Sequence, residues 1–165
     1  GGAGGARTLR DRGRLAAARA LGTWLLVVCG PADERVGREP LRPAGMLTGP
    51  LLLREQGSGT REAAERILRG AGVEPNAAME MASNGALKRA VAGGLGVTVL
   101  STYAVRLELQ LGLLHPLQVR GFPVQRMWHV IWARDRMLSP AGSAFRAFLH
   151  SHDWRRALTV ALGSD

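Results

Sequence analysis

The sequence predicts an α/β fold, with a parallel sheet and helices packed on its faces. Between residues 51 and 111, short apolar segments alternate three times with amphipathic segments of helical period, a pattern typical of such sheets. Glycines follow the helical segments, where helices commonly end. The composition agrees, because 46% of the residues are hydrophobic and the mean hydropathy is near zero, as expected for a chain that buries a core.

The first elements lie on either side of a loop rich in glycine and proline. Trp24–Cys29 is a continuous apolar run that ends at Gly30-Pro31, which predicts a buried strand. Residues 30–50 predict a loop with one helical turn, and Leu51–Leu53 predicts a second buried strand. Gln56-Gly57-Ser58-Gly59 interrupts the apolar pattern and predicts the turn into the first long helix.

The middle of the chain predicts alternating helices and strands. Apolar residues at spacings of three and four define the helices, and a serine or asparagine before a helical segment predicts its N-cap. In chain order the predicted elements are the helix Thr60–Arg69, the strand Ala77–Met81, a helix from Ser83 or Asn84 to Gly93-Gly94, the strand Val97–Leu100 and the helix Thr102–Leu111, which stops at Gly112.

The last third of the chain predicts two strands and one clear helix. Tryptophan and valine alternate with other residues along the second strand, so we expect Trp128 and Trp132 to pack in the core and not to form a stacking platform. Pro140 suits the first position of a helix. The predicted elements are the strands Leu113–Val119 and Met127–Ala133, a helix from Ser139-Pro140 to Leu149 with Ala141, Ala144, Phe145 and Phe148 inward, and a further helix over Trp154–Leu162.

Charge and cysteine content exclude several classes of protein. The chain has 22 basic and 13 acidic residues, and Lys88 is its only lysine. A basic excess can indicate nucleic-acid binding, but no segment holds a block of five or six like charges. We therefore interpret the charge as an arginine-rich solvated surface. Cys29 is the only cysteine, which excludes an internal disulfide, and no apolar run reaches the roughly 18 residues of a membrane span.

Polar residues follow the carboxyl ends of three predicted strands, where ligands bind in open α/β sheets. We expect these loops to share one edge of the sheet and to form a small cleft suited to anions, because helix N-termini offer free N–H groups. The alternative is that each hydroxyl only caps its own helix. The candidate residues are Ser58, Gly59, Thr60 and Arg61 in the first loop, Ser83 and Asn84 in the second, and Ser101 in the third.

Nucleotide binding and catalysis have little support in the sequence. Gly57-Ser58-Gly59 lacks the third glycine of a dinucleotide fingerprint and a following Walker lysine. Gly93-Gly94-Leu95-Gly96 follows a helix, which predicts a helix stop and a tight turn. We expect Cys29 to be an inert core thiol and His129 a packed residue. No cofactor, metal or catalytic residue is predicted.

Three segments, in order, resemble the effector domain of LysR-type transcriptional regulators. LLLREQGSGTR (Leu51–Arg61), followed by EAAERIL, is similar to the hinge and first helix of that domain's second lobe. ASNGALKRAVAGGLGVTVLS, residues 82–101, is similar to the next strand, helix and strand. WHVIWARDRMLSPAGSAFRAFL, residues 128–149, is similar to the last strand and closing helix, and the surrounding sequence leans toward regulators of carbon-fixation operons.

The resemblance implies a type II periplasmic-binding-protein-like fold, an α/β domain of two lobes that binds a small anionic metabolite between them. It also implies self-association in a dimeric or tetrameric bacterial regulator, a cytoplasmic location, no contact with a membrane, and no enzymatic activity. DNA binding would reside in a helix-turn-helix domain that this sequence lacks. The second-lobe positions that match are Ser58, Gly59, Thr60 and Arg61, then Ser83 and Asn84.

The resemblance covers residues 24–150 and predicts a truncated domain, with the second lobe complete and the first partial. The predicted segments are an unmatched, flexible, arginine-rich start over 1–22, part of the first lobe over 23–50, the second lobe over 51–134, and a closing helix and tail over 135–165. The arginines and apolar residues of 7–29 also leave open a secretion signal. The alternative function is therefore a secreted solute-binding protein of the related fold.

Overall fold

The computed structural model describes residues 15–133 and 136–151, with side chains from Gly22 onward. The chain forms two compact units, one spanning Gly22–Arg126 and the other comprising Gly1–Leu21 and Met127–Asp165. Residues 23–50 lie in the same unit as residues 51–126, and the first strand pairs with a strand of that unit. Residues 15–22 belong to this strand, whereas residues 1–14 and the predicted helix Trp154–Leu162 lie outside the described residues.

The Gly22–Arg126 unit confirms most of the predicted helices and strands to within a few residues. The loop 30–50 contains one short helix, as predicted. The strands are β1 (Leu15–Cys29), β2 (Leu51–Arg54), β3 (Ala77–Met81), β4 (Thr98–Ser101), β5 (His115–Leu117) and β6 (Val124–Ala133); the helices are α1 (Pro43–Met46), α2 (Gly59–Gly70), α3 (Asn84–Ala92) and α4 (Thr102–Gln110). β1 and β6 begin or end outside this unit.

The strands β2, β3 and β4 run parallel, as the alternation of strands and helices predicts. β2 pairs in parallel with β3 from Leu51 to Arg54, with one irregularity after Leu51. On its other side, Leu51 forms a parallel bridge with Val97, the residue before β4, and Leu52 N donates to Val97 O at 2.8 Å. The carboxyl ends of these three strands, and the loops that follow them, therefore lie at one edge.

β1 and β5 do not continue the parallel arrangement of β2, β3 and β4. β1 pairs antiparallel with β4, with Leu26 opposite Leu100, and antiparallel with β5 on its other side. Gly30, which follows β1, lies against the Val91 carbonyl near the end of α3. The end of β1 therefore lies near the turn that leads into β4, as an antiparallel pairing of the two strands requires. β5 is shorter than the predicted strand, and the chain beyond it pairs with Leu41, whose carbonyl accepts from Arg120 N at 2.9 Å.

Apolar side chains form two clusters of buried residues, as expected when strands alternate their faces. Leu51 and Leu53 belong to the cluster that includes Ala64 and Leu68 of α2. Leu52 belongs to the cluster that includes α3 and α4, through residues such as Leu87. The burial of Ala63, Ala64 and Leu68 therefore packs α2 against β2.

The turn between α3 and β4 requires its glycines. Gly96 has a φ of +147°, and a Cβ atom there would lie 2.1 Å from the Pro50 carbonyl oxygen. Gly94 also has a positive φ, of +81°. This geometry confirms the interpretation of residues 93–96 as a helix stop and tight turn.

In the other unit the described residues are part of β1, the rest of β6, and helix α5 (Pro140–His150). β6 pairs with β1, and α5 begins as predicted, with Ser139 Oγ accepting from Gly142 N at 3.1 Å. The predicted inward packing of α5 and of Trp128 is wrong, because these side chains are exposed. Trp132 is partly buried, and the Arg146 guanidinium of α5 lies 5.4 Å from the centroid of its ring. Exposed side chains include Trp128 (59%), His129, Ala141, Ala144, Phe145 (59%) and Phe148.

Candidate functional site

The loop after β2 presents the start of α2 without a side-chain cap. Ser58 is the N-cap residue, yet its hydroxyl accepts no hydrogen bond from the first turn of α2. By contrast, Ser83 Oγ accepts from Ala86 N at 3.4 Å and Ser101 Oγ from Ala104 N at 3.3 Å. Ser83 and Ser101 therefore fit the capping alternative, whereas Ser58 leaves the N–H groups of the α2 first turn available.

Arg126 lies directly over this helix start. Its Nη1 lies 3.5 Å from Thr60 Oγ1, to which it donates. A Cβ atom on Gly59 would lie 2.0 Å from Arg126 Nη2, so a larger residue at this position would displace the guanidinium from the place that it occupies. The sequence offered no signal for Arg126, because it lies 66 positions from Thr60 in the chain.

Arg61 is engaged by two carboxylates. Its Nε donates to Glu65 Oε1 at 2.7 Å, and its Nη1 donates to Glu80 Oε2 and to the Arg54 carbonyl. The hydrogen bond to Glu65, and then that to Glu80, raises the pKa of Arg61 against the opposing effect of burial. Arg61 therefore fastens α2 to β3 and to the end of β2.

A second arginine joins the first two predicted loops. Arg54, the last residue of β2, forms a two-point ion pair with Glu55, with nitrogen to oxygen distances of 2.7 and 2.8 Å. Its remaining terminal nitrogen donates to Asn84 Oδ1 at the start of α3. The hydrogen bond from Arg54 lowers the pKa of the Glu55 carboxyl. The structure thus brings Asn84 and the loop before α2 together.

The third predicted loop, which follows β4, lies at the same edge of the parallel strands but has fewer contacts with the other two loops. Ser101 ends β4 and caps α4. The adjacent Thr102 hydroxyl lies 3.4 Å from that of Thr23 on β1. Ser101 is therefore placed at the same edge by the parallel strand order, whereas specific contacts join the first two loops.

Cys29 behaves as the sequence predicts. It is fully buried, its thiol donates weakly to the His115 carbonyl at 3.5 Å, and burial, with a smaller contribution from Asp33, raises its pKa to about 11. A thiol that stays protonated at neutral pH is a poor nucleophile.

Two cavities of the Gly22–Arg126 unit lie away from the α2 N-terminus. One of about 420 Å³ is lined mainly by β5 and the chain after it, and one of about 320 Å³ lies at the opposite edge of the parallel strands, beside Gly30, Pro50 and Gly94. Within the described residues, no three histidine, cysteine or acidic side chains cluster as metal ligands. None of the helices described combines the length and apolar character needed to cross a bilayer.

Comparison with protein families decides what this domain is. The model of the LysR substrate binding domain matches residues 6–154, which includes part of the start predicted to be unmatched. The chain belongs to the LysR substrate-binding domain family. Its α/β fold is that of a type II periplasmic-binding-protein-like domain, as the resemblance implies.

The relatives of this LysR domain are regulators. It is 43% identical over 125 residues to the RuBisCO operon transcriptional regulator of Acidithiobacillus ferrooxidans, covering 75% of this chain and 40% of that protein. It is 37% identical to the transcriptional activator CmpR of Synechocystis, covering 83% and 44%. The chain therefore spans about two fifths of these relatives' length, and their description as regulators favours effector sensing over a secreted solute-binding protein.

Solved structures agree with the assignment to the LysR family. The regulatory domain of Synechocystis CcmR, in complex with 2-PG, superimposes with a TM-score of 0.76 at 28% identity, covering 83% of this chain and 66% of that one. The regulatory domain of HypT from Salmonella typhimurium, in its apo form, gives a TM-score of 0.67 at 22% identity, covering 86% and 66%. The second comparison supports the fold alone.

Proposed function

We propose that this LysR domain binds a small anion of the 2-PG kind at the N-terminus of α2, as the sensor of a bacterial regulator of carbon-fixation genes. The observation that supports the position most directly is the unused cap: Ser58 leaves the first-turn N–H groups of α2 available, and Thr60 adds a hydroxyl. The observation that supports the ligand class is the likeness to the CcmR domain in complex with 2-PG.

The predicted residues take different parts in this proposal. Ser58, Gly59 and Thr60 would contact the ligand through main-chain N–H groups and hydroxyls. Arg61 and Asn84 would hold the loops in place through their existing contacts. Ser83 and Ser101 would orient α3 and α4 at the same edge as their caps.

The rest of the parent protein enters the proposal through its relatives. We expect ligand binding to change how a separate helix-turn-helix domain engages DNA, in a self-associating cytoplasmic regulator. We also expect the chain to release its ligand without chemical change, because the relatives named above are transcriptional regulators. A ³¹P or ¹H spectrum of 2-PG after prolonged incubation with the chain would reveal any turnover.

Calorimetric titration of the chain with 2-PG tests the position of the site. Thr60→Val keeps the side-chain shape and removes the hydroxyl. If that hydroxyl contacts the ligand away from water, its removal should weaken the free energy of binding by about 1–3 kcal/mol, roughly 5- to 150-fold in affinity. Ser143→Ala, an exposed serine of α5, is the matched control and should bind as the unaltered chain does. Equal affinity of the Thr60→Val and unaltered chains would remove Thr60 from the site.

A further inference from the structure

Three arginines border the N-terminus of α2, and their charges are balanced differently. Arg61 is paired with Glu65 and Glu80, and Arg54 is paired with Glu55. Within residues 15–133 and 136–151, no carboxylate lies within ion-pair distance of Arg126, whose described polar partner is the neutral Thr60 hydroxyl. Arg126 is thus the arginine of the three whose charge is not offset by a described side chain.

Arg126 adds a positive charge at the N-terminus of α2. The N-terminus of a helix has a partial positive charge, which attracts anions and repels cations. Arg126 nevertheless lies against Gly59, the first residue of α2, with its guanidinium in the space that any other side chain would fill. An anion at this helix start would meet the N–H groups and the guanidinium together, which removes the repulsion between them.

We infer that Arg126 supplies the counter-charge for the anionic group of the ligand, and that Gly59 is the positioning residue that leaves room for it. The inference rests on the proposed function, because it names a further residue of the same site. Among the predicted candidate residues the arginine was Arg61, and Arg126 takes its place as the cation that meets the ligand. Two carboxylates already offset the charge of Arg61, so an incoming anion would have to compete with both.

Binding of 2-PG to the full 165-residue chain and its variants tests the inference. Arg126→Gln should weaken binding about tenfold or more, because a charge-assisted hydrogen bond is lost from a site that still attracts the anion. Arg126→Lys retains the charge and should restore part of this loss. Arg120→Gln makes the same change of net charge at an exposed arginine of the preceding loop and should leave binding unchanged.

Gly59→Ala tests the position of the guanidinium separately from its charge. The new Cβ would displace Arg126 Nη2, so binding should weaken although every arginine is retained. Gly70→Ala is the matched control, because a Cβ at the other end of α2 meets no atom within 4 Å. Thermal unfolding of each variant reports whether the fold is kept.

The outcomes separate the inference from the proposed function. If the unaltered chain binds 2-PG and both Arg126→Gln and Gly59→Ala bind it more weakly than their controls, the inference is supported. If the unaltered chain binds and Arg126→Gln binds equally well, the inference is overturned and the proposed function stands. If the unaltered chain binds no 2-PG, both fail. Should Arg126→Gln unfold, an Arg126 side-chain NMR signal, assigned with Arg126→Lys, must shift when 2-PG is added, and an unshifted signal overturns the inference.

Discussion

Replacing Thr98 by valine should stabilise this domain. Thr98 lies on β4 opposite Val28 of β1, and none of its surface is exposed. Its Oγ1 is buried and makes no hydrogen bond within the described part of the chain. In the unfolded chain that hydroxyl is hydrated, so folding removes it from water without replacing the lost hydrogen bonds.

The expected gain follows from the size of that penalty. An unsatisfied buried polar group costs roughly 1–3 kcal/mol. Valine has nearly the shape of threonine, places a methyl group where the hydroxyl was, and suits a β-strand equally well. We therefore expect Thr98→Val to raise the free energy of unfolding by about 1–2 kcal/mol.

Thr23 provides a matched control on the neighbouring strand. It is almost as buried, at 2% exposed, but its hydroxyl shares a hydrogen bond with Thr102 at 3.4 Å. Thr23→Val should therefore lower the free energy of unfolding by about 0.5–1.5 kcal/mol. Urea unfolding at 25 °C measures both, with equal m-values as the sign that the states compared are the same. A Thr98→Val chain that is less stable than the unaltered one would refute the reasoning.

Two predictions concern the end of β1. Cys29 should resist alkylation by iodoacetamide at pH 8 in the folded chain and react in guanidinium chloride, because burial raises its pKa to about 11; equal rates would contradict its burial. The hydrogen bond from Arg35 lowers the pKa of Asp33, so the ionised carboxylate stabilises the fold above its ordinary pKa, and this contribution is lost as the pH falls through the lower folded-state value. Asp33→Asn should thus cost about 1 kcal/mol at pH 7 in urea unfolding, with a difference that shrinks toward pH 3; a constant difference would exclude the ion pair as its cause.

Local sequence patterns predict this fold well where the neighbours in space are also neighbours in the chain. The helix over residues 59–70 is such a case, because its apolar period and its following glycines are both local signals. The antiparallel direction of β1 is not local, since it depends on where the loop 30–50 returns the chain. The apolar face of α5 has the period of a buried helix, but periodicity does not say whether a covering element is present.

The candidate site likewise combines residues that are neighbours in the chain with residues that only the fold brings together. Ser58, Gly59 and Thr60 are adjacent in sequence and could be chosen from one loop. The pairing of Arg61 with Glu80 joins different elements, so the sequence alone did not reveal that its charge is already offset. Arg126 reaches the loop from another strand, and only the fold places it there.

An amide NMR titration of the isotope-labelled chain with 2-PG tests the central claim most directly, because it reports where the ligand binds. We expect the largest shift changes at the N–H groups of Gly59, Thr60 and Arg61, at the start of α2. Changes centred instead on Gly93 and Gly94, which line the cavity at the opposite edge of the sheet, would contradict the account.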